Sequence, residues 1–255
     1  MACLADYLNL NTFNIIGHSL GAVFALACAY KFKERVGRIV TVAGMAPFDS
    51  LRDLEGMFAP FRLALSVGRY AHSLLAPIVS LFKLHFSTET YEKMLFQNLP
   101  PVDRALFSDT KIKNRFQENV MENARRGEHS TLQEALIVAQ PWGFDLGEIS
   151  IPTEVWHGKQ DPLIPIQMAH NLSKSLPNCR THFLPGAGHY FLFHCWKEIL
   201  HSAVSSENFI RETIAQMGHA NFIPSSATAV NDADGPALYV TSYFNGGLYR
   251  VDLTQ

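Results

Sequence analysis

The sequence runs to 255 residues, 47% of them hydrophobic and 17% charged, which is enough apolar material for one sizeable core. A formal net charge of −2 excludes the broad basic footprint that nucleic acid requires. The opening "MACLADYLNL" has no basic segment and carries Asp6, unlike a secretory leader, and the densest apolar run, "AHSLLAPIVSLFKLHF", is broken by Pro77, Lys83 and His85 before it could cross a membrane.

The first element of substance is "FNIIGHSLGAVFALACAYKF", residues 13–32. Phe13, Ile15 and Ile16 are β-formers that stop at Gly17, and the Leu- and Ala-rich stretch from Leu20 to Phe32 predicts a helix. A strand that becomes a helix so abruptly needs a tight turn with positive φ at its centre. Gly17 and Gly21 remove the side chains that would collide there, and Ala22, Ala25 and Ala29 let the helix lie close to the sheet. This G-x-S-x-G turn reads as a nucleophile elbow, which lifts the Ser19 hydroxyl above the sheet and aims the Leu20 backbone N–H at a developing oxyanion. The competing reading is a serine in an ordinary glycine turn. His18 reads as a supporting residue of the turn.

A second strand is predicted at "GRIVTVAG". Residues 46–145 then hold no convincing strand and read as amphipathic helices: "SLRDLEGMFAPFRLALSVGRYA", "LLAPIVSLFKLHF", "TETYEKMLF", "DTKIKNRFQENVMENARRG" and "TLQEALIVAQ". Strand–helix alternation resumes over 152–206 with "PTEVWHG", "PIQMAHNLSKSL", "RTHFLPG" and "CWKEILHSAV". Such alternation predicts an α/β fold, a parallel sheet with helices on both faces. A helical insert between its strands would sit over their carboxyl ends as a lid, where open α/β sheets bind ligands. Beyond about Ser206, "SENFIRETIAQMG" can continue as helix, "IPSSATAVNDADGPA" reads as a loop or linker, and "ALYVTSYFNGGLYRVDL" reads as a hairpin turning at Asn245-Gly246-Gly247. The expected division is a core over 1–45 and 146–206, a lid over 46–145 and an extension over 207–255.

A nucleophilic serine needs a base, and the base needs an orienting carboxylate. In "VWHGKQDPLIP" Asp161 follows a strand end, and in "FLPGAGHYF" His189 follows another, both on the edge expected for Ser19. The chain order is Ser, Asp, His. Each residue alone has a plainer reading: Asp161 as a turn residue or helix cap, His189 as one loop histidine of eleven. His157, His194 and His201 read as structural. Cys3, Cys28, Cys179 and Cys195 have no metal-ligand spacing and read as reduced, mostly buried thiols of a cytoplasmic protein, with a disulfide left open.

Through "GHSLGA", "HGKQDPLIP" and "PGAGHYF", residues 1 to about 203 resemble the carboxyl-terminal three-quarters of the α/β-hydrolase fold superfamily in its lidded serine-hydrolase, esterase-like form. The resemblance implies Ser19 as nucleophile, Asp161 as acid, His189 as base and Leu20 as an oxyanion-hole donor, with neither metal nor organic cofactor. Members of the superfamily normally carry further strands before the elbow, and a loop among them supplies a second oxyanion N–H. Against that pattern the chain looks amino-terminally truncated, with one neighbour of the "FNIIG" strand and one oxyanion donor missing.

The leading expectation is a serine hydrolase working by acyl transfer on a small or medium apolar ester, with Met45, Phe48, Phe58, Phe61, Leu74 and Leu75 as candidates to line the acyl pocket. Taken singly, each of these six reads more readily as ordinary lid packing. Related triads also cleave amides, thioesters and carbon–carbon bonds, so the fold does not choose the bond. The rival expectation is a non-catalytic hydrolase-like module that binds a partner. Oligomeric state is left open.

Overall fold

The computed structural model describes residues 2–7, 9–74, 77, 88–110, 112–114, 116–117, 134, 136–204, 224–232, 235–242 and 248–252. In chain order these form α1 (Ala2–Tyr7), β1 (Phe13–His18), α2 (Gly21–Lys31), β2 (Val36–Val42), α3 (Ala59–Tyr70), α4 (Thr88–Asn98), α5 (Pro101–Leu106), β3 (Thr153–Gly158), α6 (Ile166–Ser175), β4 (Cys179–Leu184) and α7 (Trp196–Ala203). Three more strands follow: β5 (Pro224–Asp232), β6 (Gly235–Ser242) and β7 (Leu248–Asp252).

Strands β1 to β4 form one sheet in the spatial order β1-β2-β3-β4, and every pairing is parallel. The alternation of side chains along each strand divides the core between the two faces. Ile15, Ile39 and Val155 pack with Leu26 and Ala29 of α2 and with Met168 and Leu172 of α6. Their chain neighbours Ile16, Val40 and Trp156 point the other way, onto Ile199, Leu200 and Ala203 of α7. Full burial of each such Ile or Leu contributes about 1.5–3 kcal/mol, so a one-residue slip of any strand would reverse both faces at once. The register pairs His18 with Val42, Val42 with Trp156, and Gly158 with Leu184. The segments leaving β1, β3 and β4 therefore emerge on one edge of the sheet.

Among the described residues, 46–145 contain helices and turns and no strand, as expected for the insert. Helix α3 is shorter than the pattern suggested, because residues 51–56 form turns before Pro60 at its start. The "LLAPIVSLFKLHF" run after Leu74, and most of "DTKIKNRFQENVMENARRG", lie outside the described residues. A third apolar cluster joins the insert to the sheet edge: Leu95, Leu99, Leu106 and Phe107 of the insert pack with Leu163, and Tyr190 and Phe193 pack against them. Among the described residues no helix is long and apolar enough to cross a membrane.

The carboxyl-terminal region corrects one expectation. Residues 224–232 are strand β5, not a loop or linker. They pair antiparallel with β6 from Pro224↔Ser242 to Asp232↔Gly235, and β6 pairs antiparallel with β7 as the hairpin expectation required. Their ladder supplies the backbone partners that the small, mostly polar side chains of "PSSATAVND" do not advertise. The turn at 245–247 and the expected helix "SENFIRETIAQMG" lie outside the described residues. Strand β5 runs alongside β1, at the open edge of the parallel sheet.

Candidate active site

Ser19 sits between β1 and α2 with φ +55°, in the left-handed region that L side chains rarely adopt. Its N–H donates to the Val42 carbonyl at 2.9 Å, carrying the pairing of β1 and β2 one residue past β1. Its carbonyl accepts the Ala22 N–H at 3.1 Å and so begins the helix. Gly17 explains how the chain reverses here: a Cβ at that position would lie 2.6 Å from the Gly21 carbonyl oxygen and 2.7 Å from the Ala22 Cα. Leu20 stands at the N-cap of α2 with helical dihedrals, so its N–H lies at the helix start, where backbone N–H groups lack intrahelical partners.

On the neighbouring loops, Asp161 and His189 meet. The His189 Nδ1–H donates to Asp161 Oδ2 at 2.7 Å, and both residues are buried. Asp161 Oδ1 accepts the N–H groups of Leu163 at 2.8 Å and Ile164 at 3.0 Å. Asp161 thus closes a turn with one oxygen and meets an imidazole with the other. It is not a helix cap, since α6 starts after Pro165 without a side-chain cap. Backbone bonds from Lys159 N–H to the Leu184 carbonyl and from Gln160 N–H to the Ala187 carbonyl bind the two loops together. Among the described residues no hydrogen bond links Ser19 Oγ to the imidazole. His18 links the Ser19 turn to His189: its ring centroid lies 4.9 Å from that of His189, and its Nε2–H donates to the His189 carbonyl at 3.4 Å.

The electrostatics follow from burial. Desolvation, helped by the charge of His189, pulls His18 down to about 3, so it is neutral near neutral pH. His157, wholly buried, is also lowered by desolvation, which outweighs the opposing pull of Asp161. Burial alone would raise Asp161. The charge and hydrogen bond of His189 and the charge of His157 overcome it and leave the carboxyl below its usual range. His157 was expected to be structural, and it does donate from Nε2 to the Ile164 carbonyl at 2.7 Å. It also stands 3.6 Å from Asp161 Oδ2, and its Nδ1 is buried with no hydrogen-bond partner.

The six candidate pocket residues divide. Met45 and Phe48 are buried in the cluster that contains α2 and α6. Phe58 is buried in the cluster of the insert, with Phe61 against it at a centroid distance of 5.6 Å. Leu74 is 53% exposed and belongs to none of the three clusters, so the structure does not bring it to the others. Leu75 lies outside the described residues. Cys28, Cys179 and Cys195 are free and half-buried rather than buried, each with its thiol pushed up chiefly by desolvation, Cys179 to about 11. None of the three has the lowered pKa of a reactive thiol. Among the described residues no cluster of His, Cys, Asp and Glu could hold a metal ion.

One site residue escaped the sequence reading. Asp103, in α5, is wholly buried, and its carboxylate accepts the His189 N–H at 2.7 Å. The structure places it in the first turn of this short helix, where the dipole favours an acid. Nothing local announces a partner 86 residues away.

The family profile described as the alpha/beta hydrolase fold matches residues 1–194. The chain belongs to that family. Among curated proteins it is 25% identical over 193 residues to a 2-hydroxy-6-oxo-6-phenylhexa-2,4-dienoate hydrolase of Burkholderia cepacia, covering 73% of this chain and 59% of that one. It is 24% identical over 191 residues to a 2-hydroxy-6-oxononadienedioate/2-hydroxy-6-oxononatrienedioate hydrolase of Comamonas testosteroni, with the same two coverages. It is 24% identical to a 2-hydroxymuconate semialdehyde hydrolase of Pseudomonas putida, covering 82% of this chain and 66% of that one. The chain thus spans about three fifths of the length of the first of these relatives. Among solved structures, a serine hydrolase from the polyaromatic-hydrocarbon-degrading bacterium Cycloclasticus zankles superposes with a TM-score of 0.53 at 20% identity, over 76% of this chain and 63% of that one. A hydrolase from Pseudomonas aeruginosa PA01 gives 0.50 at 18% identity, over 80% and 69%. These two likenesses speak for the fold.

Proposed function

We propose that this alpha/beta hydrolase is a serine hydrolase working by acyl transfer, with Ser19 as nucleophile, His189 as general base and Asp161 as the orienting carboxylate. The observation that carries this reading is the buried 2.7 Å bond from His189 Nδ1–H to Asp161, on the sheet edge where Ser19 is held at φ +55°. With Nδ1 committed to Asp161, the basic lone pair is on Nε2. His189 takes the Ser19 hydroxyl proton as Oγ attacks the substrate carbonyl, and the Leu20 N–H receives the oxyanion. The tetrahedral adduct collapses to acyl-Ser19 as His189 returns the proton to the leaving group. Water then attacks the acyl-enzyme with His189 again as base, and Ser19 is regenerated.

Met45, Phe48, Phe58 and Phe61 are apolar and suit a small or medium apolar ester under the helical lid. The names of the relatives favour a second reading of the bond. A 2-hydroxy-6-oxo dienoate contains a ketone and no ester, so its hydrolysis breaks a carbon–carbon bond. Parallel assays on an aryl butyrate and on a 2-hydroxy-6-oxo-dienoate distinguish the two. The non-catalytic alternative is tested by a fluorophosphonate probe, which labels only an activated serine. The intact chain should be labelled, and Ser19→Ala should abolish labelling while leaving the fold intact. Asp161→Asn should lose about 10⁴ in turnover, because the imidazole then presents the wrong tautomer. Labelling that survives in Ser19→Ala ends the assignment.

A further inference from the structure

Asp103 reaches from the helical insert onto the loop that carries His189. Its Oδ2 accepts the His189 N–H at 2.7 Å, and the Tyr190 N–H lies 3.3 Å from Oδ1 and 3.4 Å from Oδ2. Among the described residues, every hydrogen bond given to this carboxylate comes from that loop. The approach is close enough that a Cβ on Gly188 would collide with the carboxylate and with the Pro100 ring. Residue 188 therefore admits the acid only as glycine. Burial raises the Asp103 carboxyl, and the two N–H donors and the charge of His189 pull it back only in part. A buried carboxylate is costly unless it is hydrogen-bonded, so the insert and the loop hold each other in this one arrangement.

We propose that Asp103 is a positioning residue: through it the helical insert fixes the backbone of His189 so that the imidazole meets Asp161 and faces the elbow. The proposal rests on the serine-hydrolase reading of Ser19, Asp161 and His189. Asp161 and Tyr190 hold the ring from the sheet-edge loops, and His18 holds it from β1. Asp103 holds its main chain from the other side. The charged and titratable groups facing His189 are thus Asp161 and His157 from the segment around β3, His18 from β1, Tyr190 beside it and Asp103 from α5.

The test compares the intact chain with Asp103→Ala and Asp103→Asn, reading fluorophosphonate labelling rate and the downfield proton resonance of the His189–Asp161 hydrogen bond. Alanine leaves the His189 N–H buried without an acceptor. The resonance should broaden or vanish in a chain that circular dichroism shows to be folded, and labelling should slow on the order of 10²-fold, as expected for a misplaced catalytic group. Asparagine keeps one acceptor for the His189 N–H. It should recover most of the rate and the resonance, a rescue that mere packing would not produce. A folded Asp103→Ala with unchanged resonance and rate overturns the proposal. If alanine does not fold, Asp103→Leu, which fills the space without an acceptor, decides: unchanged resonance and labelling rate overturn the proposal, and a lost resonance with slowed labelling supports it. If the intact chain is not labelled at Ser19, the serine-hydrolase reading fails, and the response of the resonance to Asp103→Ala still decides whether Asp103 positions the loop.

Discussion

Asp161 divides its two oxygens between a turn and an imidazole, and burial holds two nearby histidines, His157 and His18, neutral. His157 and His18 both have folded pKa values below their ordinary 6.5, His18 at about 3. In the unfolded chain these rings take up protons near 6.5, while in the folded chain they resist. Below that pH the unfolded state binds more protons, so stability falls as pH falls from about 6.5 towards 3. Asp161, also lowered, acts in the same direction but below its ordinary 3.8, whereas the raised Asp103 opposes it. The melting temperature should therefore drop between pH 7 and pH 5. His157→Gln keeps a donor for the Ile164 carbonyl and removes a titrating ring, so its melting temperature should depend less on pH. Equal slopes in thermal melts of the two proteins would contradict this account. The pairing of Asp161 with His189 was legible in the sequence because each follows a strand end. The neutral histidines were not, because desolvation is a property of the assembled core.

The strands of the parallel sheet could be read in advance because alternating Ile and Val residues stop at glycines and lead into Ala- or Leu-rich helices. Strand β5 could not, since "PSSATAVND" lacks a clear apolar face and its order comes from pairing with β6. Helix α5 was missed for a related reason: its six residues are too few to show a period, and it is placed by tertiary contacts. Those contacts are aromatic. Phe107, just beyond α5, meets Phe96 of α4 at 4.8 Å, Phe116 at 5.1 Å and Tyr190 of the His189 loop at 5.2 Å, each edge-on. This cluster and Asp103 make two separate joints between insert and loop. Phe107→Ala, at a position only 8% exposed, should destabilise the chain by about 3–5 kcal/mol by transfer and cavity terms. Phe107→Leu fills much of the same space and should cost less. Denaturant melts of both variants check the order, and a Phe107→Ala loss below that of Phe107→Leu would show that the cluster is not packed as described.

Across the whole molecule, the central question is what shields β1. Among the described strands its one hydrogen-bonded neighbour is β2, so its other edge presents backbone N–H and C=O groups of the kind that invite pairing with another chain. Strand β5 of the carboxyl-terminal sheet lies alongside that edge without joining its ladder. The structure sets this terminal strand beside "FNIIG". Such cover would keep that edge from pairing with another chain, while Ser19, Asp161, His189 and Asp103 lie outside β5, β6 and β7. Deleting residues 224–255 should therefore lower the melting temperature and promote concentration-dependent association, measured by sedimentation velocity. Fluorophosphonate labelling of the fraction that remains monomeric should match that of the intact chain. A deletion variant that stays monomeric at every concentration where the intact chain does would show that β1 needs no such cover. Slower labelling in the monomeric fraction would place the extension in the working of the site itself.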